Sequence, residues 1–343
     1  MNVLVTGSTG FVGGQLCRAL VERGHSVRAF HRATSNLRLL ADLPVEHAIG
    51  DLTQPETIQA AMQGIEAVFH VAAQLGGNEP GRMYTVTVEG TRAVLDAAKE
   101  AGVRRVVHTS SVAALGVPED VPGQRLPGKA PFLNEAHTWN YRPDYWPYGY
   151  AKYLAELEVQ KAVTSGMDVV IVNPTVVFGA GDVYRQDSSI VMQVARHKVG
   201  VLAEGGLNAV HVADVVAGQL AALEHGVTGE RYILGGQNLT HQELIGKIAA
   251  IVGAPVPRVV LPGGLLRAAA RPLGLFQQYL DLPVSTSELH LAGYHFYYDN
   301  RKAQVELGLQ PPRPIEEALR EAYEWFKQPQ GLSPALDNLQ KTL

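Results

Sequence analysis

Short runs dense in Val, Ile and Ala alternate along the first half of the chain with longer segments whose apolar residues recur every three or four positions. The runs are NVLVTG (2–7), SVRAFHR (26–32), VEHAIG (45–50), AVFHVAA (67–73), RVVHTSS (105–111) and DVVIVNP (168–174). Between them lie FVGGQLCRALVERG (11–24), PETIQAAMQG (55–64), MYTVTVEGTRAVLDAAKEAG (83–102) and YGYAKYLAELEVQKAVTSG (148–166), each closing at a glycine, a common helix stop. Runs apolar on both faces belong to strands covered on both sides. Alternating with helices, they predict an α/β fold built on a Rossmann-type doubly wound parallel sheet.

Past about residue 180 the pattern loosens. LAEGGLN (202–208) reads as a loop, helices are expected near 213–225 and 240–252, and Ala254 to Pro262 reads as a Pro-rich connector. GGLLRAAARPLGLFQQYL (263–280) is amphipathic but broken by Pro272, and RPIEEALREAYEWFKQ (313–328) reads as a surface helix. At 343 residues the chain exceeds what one core usually holds, about 250–300 residues. The expected division is a dinucleotide-binding domain over 1–180, helped by late strands from about 207–235, a smaller substrate-binding lobe over 181–330, and a frayed tail at 331–343.

Composition narrows the function classes. A formal net charge of −4 argues against a nucleic-acid protein, which carries a strongly basic face. The short basic clusters Arg104-Arg105 and Arg196-His197-Lys198 read as solvated surface. Cys17 is the single cysteine, so intrachain disulfides and cysteine zinc sites are excluded; it falls in a helical apolar pattern as a buried small hydrophobe. No apolar run is long enough for a bilayer, and a strand at the very start leaves no room for a signal peptide, so no membrane association and a cytoplasmic location are expected. His70 and His108 end strands and His211 precedes Asp214, the expected cap of the next helix; structural roles and no metal are expected for all three.

Candidate chemistry begins at VLVTGSTGFVGGQL, where Gly7, Gly10 and Gly13 fall between the first strand and the first helix. Glycines there let backbone N–H groups and the positive helix end approach a pyrophosphate, which predicts dinucleotide binding with Thr9, Phe11 and Val12 in the same turn. The second strand ends AFHRATSN, with Arg32 where an acid would select NAD. A guanidinium binds a 2′-phosphate and stacks on adenine, so NADP(H) is expected, with NAD(H) left open. In GDLTQP, Asp51, beside Leu52, is placed to accept from an adenine amino group; the alternative is a cap for the helix near Pro55, a job that suits Thr53 better. Tyr148 stands four residues before Lys152, a spacing that stacks both on one helical face, but Tyr298 and Lys302 match it as well.

TGSTGFVG, GDL, HVAA, HTSSVAALG, Tyr148-x-x-x-Lys152 and NPTVVFG occur in the order and spacing of the extended short-chain dehydrogenase/reductase family, and NAVHVADVVAG, GERYILGG and DNRKAQVELGLQP extend the likeness over nearly the whole chain. In detail the chain resembles the dihydroflavonol-4-reductase-like branch, whose bacterial members are often labelled epimerase/dehydratases. The resemblance implies Tyr148 as general acid/base, Lys152 as its partner and Ser111 as the catalytic hydroxyl, with Ser110 contacting cofactor. It places Pro174, Val176 and Val177 beside the nicotinamide, and Val71, Ala72 and Ala73 along its ribose. It also implies a homodimer through helices near 83–101 and 148–165, whose Val94 and Leu157 serve as core or interface. One departure is Thr87, where the family commonly carries an asparagine tied to a water-mediated proton path behind the lysine.

The chemistry accords with those roles. Hydride addition to a carbonyl builds negative charge on oxygen, which needs donors already in place. A tyrosine with a pKa of about 10 holds its proton at neutral pH and can give it, while Lys152 and an oxidised nicotinamide, both positive, favour phenolate in reverse. Three functions follow: an NADPH-dependent reductase of an aldehyde or ketone, a nucleotide-sugar epimerase/dehydratase with retained NAD(P), or a non-catalytic NADP-binding sensor or scaffold. The second needs cations for a diphosphate, for which Arg185, Arg196 and Arg231 are candidates. The first is favoured, because WNYRPDYWPYGY ahead of the helix predicts an apolar or aromatic pocket wall, although some of these rings can instead pack beneath the loop. Met192 and Phe178 are candidates for the same pocket, but helical or strand core is expected for both.

Overall fold

A computed structural model describes residues 1–74, 80–119, 132–184, 188–276 and 285–328; the expected tail at 331–343 and Arg185 lie outside the described residues. The six runs form β1 Asn2–Thr6, β2 Ser26–His31, β3 Glu46–Ile49, β4 Ala67–His70, β5 Arg105–Thr109 and β6 Val169–Pro174. After them come β7 Val176–Phe178, β8 Val201–Ala203, β9 Gly206–His211, β10 Arg231–Leu234, β11 Gln237–Thr240 and β12 Val259–Leu261. The main sheet has seven parallel strands in the order β10-β6-β5-β4-β1-β2-β3. Chain order reverses between β1 and β4, so their carboxyl ends open the crevice in which such sheets bind ligands.

Helices α1 Phe11–Glu22, α2 Pro55–Ala61, α3 Pro80–Tyr84, α4 Gly90–Glu100 and α5 Pro147–Thr164 belong to the first half. Later come α6 Ile190–Ala195, α7 Val212–His225, α8 His241–Val252, α9 Gly263–Phe276, α10 Thr286–Leu291, α11 Arg301–Glu306 and α12 Ile315–Lys327. Successive strand residues point to opposite faces. Thus Val3 and Val5 pack with Leu16, Leu20, Val215 and Leu220 under α1 and α7, and Cys17 is buried there as expected. Leu4 packs on the other face with Ile58, Val94 and Val159 under α2, α4 and α5. Val94 is therefore core, whereas Leu157 is 37% exposed. A third core joins Phe178, Val191, Leu244 and Ile248 to Leu319 and Phe326, with Met192 against it.

Several local expectations are corrected. LAEGGLN holds the end of β8 and the start of β9, and the connector holds β12: β9 pairs with β11 and β7, and β12 with β8, so long-range pairing overrides the glycines. Helix α9 passes through Pro272, since proline's fixed φ is itself helical and only one N–H bond is lost. The 83–102 segment is divided, with a π-turn over Thr85–Glu89 ahead of α4. The cap of α7 is His211, whose Nδ1 accepts from Ala213 N–H at 3.0 Å, while Asp214 pairs with Arg313 at 2.6 Å. Arg105 is not merely solvated: it pairs with Asp168 at 2.8 Å and donates to the Leu223 carbonyl. The surface helix expected near the end is α12, which buries Ile315, Ala318, Leu319, Ala322 and Phe326 on one side. Among the described residues no helix is long and apolar enough to cross a membrane.

Candidate active site

The turn from β1 into α1 is shaped by close backbone approach. Gly7 has φ +68°, and a Cβ there would stand 2.7 Å from the Ala72 nitrogen; one on Gly13 would stand 2.1 Å from the Gly7 carbonyl oxygen. Gly10 caps α1 without a side chain, and the first turn of the helix carries no acid. Its opening N–H groups have no acid of their own turn beside them, the kind of donor set a pyrophosphate requires. Phe11 lies beside the Gly179–Gly181 turn, Val12 packs on the first core, and Thr9 Oγ1 is 3.4 Å from the Tyr184 hydroxyl.

Arg32 is exposed just past β2. Asp51 lies near it: burial pushes the Asp51 pKa up, but hydrogen bonds from Thr53 and the charges of Arg32 and Arg82 outweigh this and hold it low. Neither Asp51 nor Thr53 caps α2. The cap is Gln54, and Asp51 Oδ1 accepts instead from the Thr53 N–H at 2.9 Å and its hydroxyl at 2.8 Å. Leu52 is buried against Gly90.

The second set gathers at the ends of β5 and β6. Ser111 caps a short 3-10 turn over Val112–Leu115, its hydroxyl accepting from the Ala113 N–H at 3.2 Å. Gly149 presses on that turn, since a Cβ there would be 2.8 Å from the Ala113 carbonyl, so the start of α5 and the Ser111 turn touch. Tyr148 is half-buried and packs with Met83, Val88, Ala151 and Leu154. One turn on, Lys152 is buried and donates to the Thr109 carbonyl at 3.0 Å; burial lowers its pKa to about 8, against the pull of Glu156. Ser110 Oγ is buried with no hydrogen-bond partner. Pro174 closes β6, Val176 is 41% exposed and Val177 packs on the first core. Tyr298 is buried and precedes α11, and Lys302 pairs with Glu230, so the second Tyr-x-x-x-Lys match is not a helical pair and lies elsewhere.

Thr87 is buried in the π-turn, its Oγ1 accepting from the Gln74 N–H at 3.4 Å. The sequence reading missed Glu156, which has no exposure. It accepts from Asn173 Nδ2 at 2.7 Å and stands 2.8 Å from Arg231 Nε, an ion pair although that N–H is not aimed at the oxygen. The signal was present, as Glu156 stands four residues after Lys152. Arg231, a diphosphate candidate, is thereby occupied; Arg196 is exposed at the end of α6. The aromatic segment packs on itself and on the lobe. Trp139 meets Trp146, Tyr150 and Tyr153; Tyr145 stacks on His290 at 3.8 Å, and Trp146 meets Phe296.

Residues 3–235 match the model of the NAD dependent epimerase/dehydratase family. A putative dihydroflavonol 4-reductase of Synechocystis sp. is 37% identical over 337 residues, covering 94% of each chain. Sterol demethylase protein B of Methylococcus capsulatus is 32% identical over 340 residues, covering 96% of this chain and 99% of its own. The crystal structure of gox2253 superposes with a TM-score of 0.81 at 35% identity, covering 95% of this chain and 97% of that one.

Proposed function

Because the chain belongs to the NAD dependent epimerase/dehydratase family, within the extended short-chain dehydrogenase/reductases, we propose that it is an NADPH-dependent reductase of an apolar or aromatic aldehyde or ketone. The observation that carries the reading is the arrangement of Tyr148, Lys152 and Ser111: a phenol, a buried ammonium one turn later, and a hydroxyl on the turn that α5 touches. The residues fit a dinucleotide. Gly7, Gly10 and Gly13 bring bare backbone to the turn after β1, and just past β5 the Ser110 hydroxyl is buried and unpartnered.

When bound, the cofactor supplies the hydride. Gly7 through Gly13 would hold its pyrophosphate, Arg32 the 2′-phosphate, Asp51 and Leu52 the adenine side, Val71 to Ala73 the ribose, and Ser110, Pro174, Val176 and Val177 the nicotinamide end. Tyr148 gives its proton to the carbonyl oxygen as charge develops there, and Ser111 donates a second hydrogen bond. Lys152 stays charged beside Tyr148 and eases departure of the phenolic proton.

A reductase is favoured over an epimerase because several cations past residue 180, Arg231 among them, already have internal partners. Arg231 is paired with Glu156, Arg301 with Asp299, Lys302 with Glu230 and Arg313 with Asp214, and Arg267 lies over Tyr294. The relatives named for a dihydroflavonol and a sterol point to apolar substrates. The test compares wild type with Tyr148→Phe for NADPH oxidation across a panel of aldehydes and ketones. Wild-type turnover that falls at least about a hundredfold in the variant supports the proposal. Absence of turnover on every carbonyl, with epimerisation of a nucleotide sugar and a stoichiometric dinucleotide released on denaturation, sinks it.

A further inference from the structure

Tyr148, Lys152 and Glu156 are spaced four residues apart, so one stripe of α5 carries a phenol, an ammonium and a carboxylate in successive turns. Glu156 is wholly buried, yet it is tied at both oxygens, to Asn173 Nδ2 at 2.7 Å and to Arg231 at 2.8 Å. Both ties lead back to the site. Asn173 Nδ2 also donates to the Ser111 carbonyl at 3.0 Å, and Arg231 Nη1 donates to the His137 carbonyl, in the segment ahead of α5.

A buried ion pair is weak evidence for stability, because apolar residues of similar volume usually serve the fold as well. The environment of Lys152 supplies another reason for the carboxylate. Glu156, on the same helix, acts on the ammonium, which in turn acts on His70 of β4 and His108 of β5; Tyr148 stands one turn before it. The two histidines are neutral or positive, never negative. While Tyr148 keeps its proton, Glu156 is the anion among these groups, and it opposes the discharge of Lys152 that burial favours.

We infer that Glu156, held by Arg231 and Asn173, is a positioning residue that keeps Lys152 charged and steadies the Ser111 turn. The inference rests on the reading of Tyr148 and Lys152 as the catalytic pair. Its test reads Lys152 directly and needs no substrate. Full-length protein carrying 13C- and 15N-labelled lysine is titrated by NMR from about pH 6 to about 11, with the Lys152 signal identified by its loss in Lys152→Met. Glu156→Gln is expected to lower the Lys152 midpoint by roughly one pH unit or more, and Glu156→Asp to restore part of the difference.

The alkaline limb of NADPH-dependent reduction should move down by the same amount, with kcat falling more than KM. A folded Glu156→Gln protein whose Lys152 midpoint does not move overturns the inference. Should that variant fail to fold, Glu156→Gln combined with Arg231→Met leaves a neutral pair; a lowered Lys152 midpoint is still expected, by less than in Glu156→Gln because a neighbouring cation is removed too, and an unmoved or raised midpoint overturns the inference. Undiminished turnover by Tyr148→Phe would overturn the catalytic reading while the lysine titration is still judged on its own result.

Discussion

Lys152 Nζ donates to the Thr109 carbonyl at 3.0 Å from a position only 3% exposed. Burial brings its pKa from 10.5 to about 8, with Glu156 resisting. Below about pH 8 the lysine is protonated whether folded or unfolded, and the fold bears the whole cost of the buried charge. Between about 8 and 10.5 the unfolded chain holds the extra proton, so stability rises with pH; above that window the cost is gone. Lys152→Met should therefore melt higher than wild type at neutral pH, by up to about 3 kcal/mol, since each tenfold loss of proton affinity costs about 1.4 kcal/mol. The advantage should shrink toward pH 10.5, while carbonyl reduction is lost. Thermal melts at several pH values check it; a variant less stable than wild type by a pH-independent margin contradicts it.

Gly7→Ala meets two obstacles: a φ of +68°, and the Ala72 backbone 2.7 Å from the new Cβ. Gly24 separates them, because its φ of +78° is equally left-handed but nothing lies within 4 Å. Gly24→Ala should cost about 1–2 kcal/mol and leave dinucleotide binding intact. Gly7→Ala should cost more and abolish binding, since the β1 turn and the Ala72 segment must separate. Melts and fluorescence titration with NADPH distinguish the two; equal behaviour of both variants refutes the role of close approach.

How far the sequence was legible depended on the range of the interactions. The six strands, the glycine turn and the Tyr148–Lys152 stripe are written in residues a few positions apart, and each stands where its pattern places it. What escaped depends on distant partners. Gly205 and Gly206 mark a loop in most settings, yet pairing of Gly206 with Thr240 draws the segment into a strand. Nothing near Arg231 announces Glu156, because the fold alone sets β10 beside β6. His211 caps a helix, a task for which Ser, Thr, Asp and Asn are the usual signals, so the pattern pointed to Asp214. The aromatic segment was legible as a cluster, but its partners His290, Tyr294 and Phe296 lie across the lobe.

The proposed preference for NADPH rests on Arg32. It is exposed just past β2, and its charge helps hold the Asp51 carboxyl low. Arg32→Asp puts a negative charge where the 2′-phosphate would sit. NADPH affinity should fall at least about tenfold, equivalent to about 1.4 kcal/mol, and NADH affinity should change far less. Parallel titrations with both cofactors read the ratio; an unchanged NADPH affinity removes Arg32 from the site.

A directed chain of hydrogen bonds links the Ala72 segment to the π-turn, and its polarity can be assigned. The Thr91 hydroxyl donates to the Thr87 carbonyl at 2.6 Å, so at 3.0 Å from His70 Nε2 it must accept, and the proton sits on Nε2. His70 Nδ1 is then free to accept from the Thr6 hydroxyl at 2.8 Å, which itself accepts from the Ala72 N–H at 3.3 Å. The imidazole is neutral throughout, its pKa pushed down to about 3 by burial and then by Lys152. Thr91→Val keeps the shape but leaves the buried Nε2–H without an acceptor, which should cost about 1–3 kcal/mol, whereas Thr91→Ser should behave as wild type. Because the chain ends on Ala72, dinucleotide affinity should weaken in the valine variant alone. Histidine 15N spectra should show the Nε2–H tautomer for His70 in wild type; the Nδ1–H form there, or a valine variant as stable as wild type, would refute the assignment.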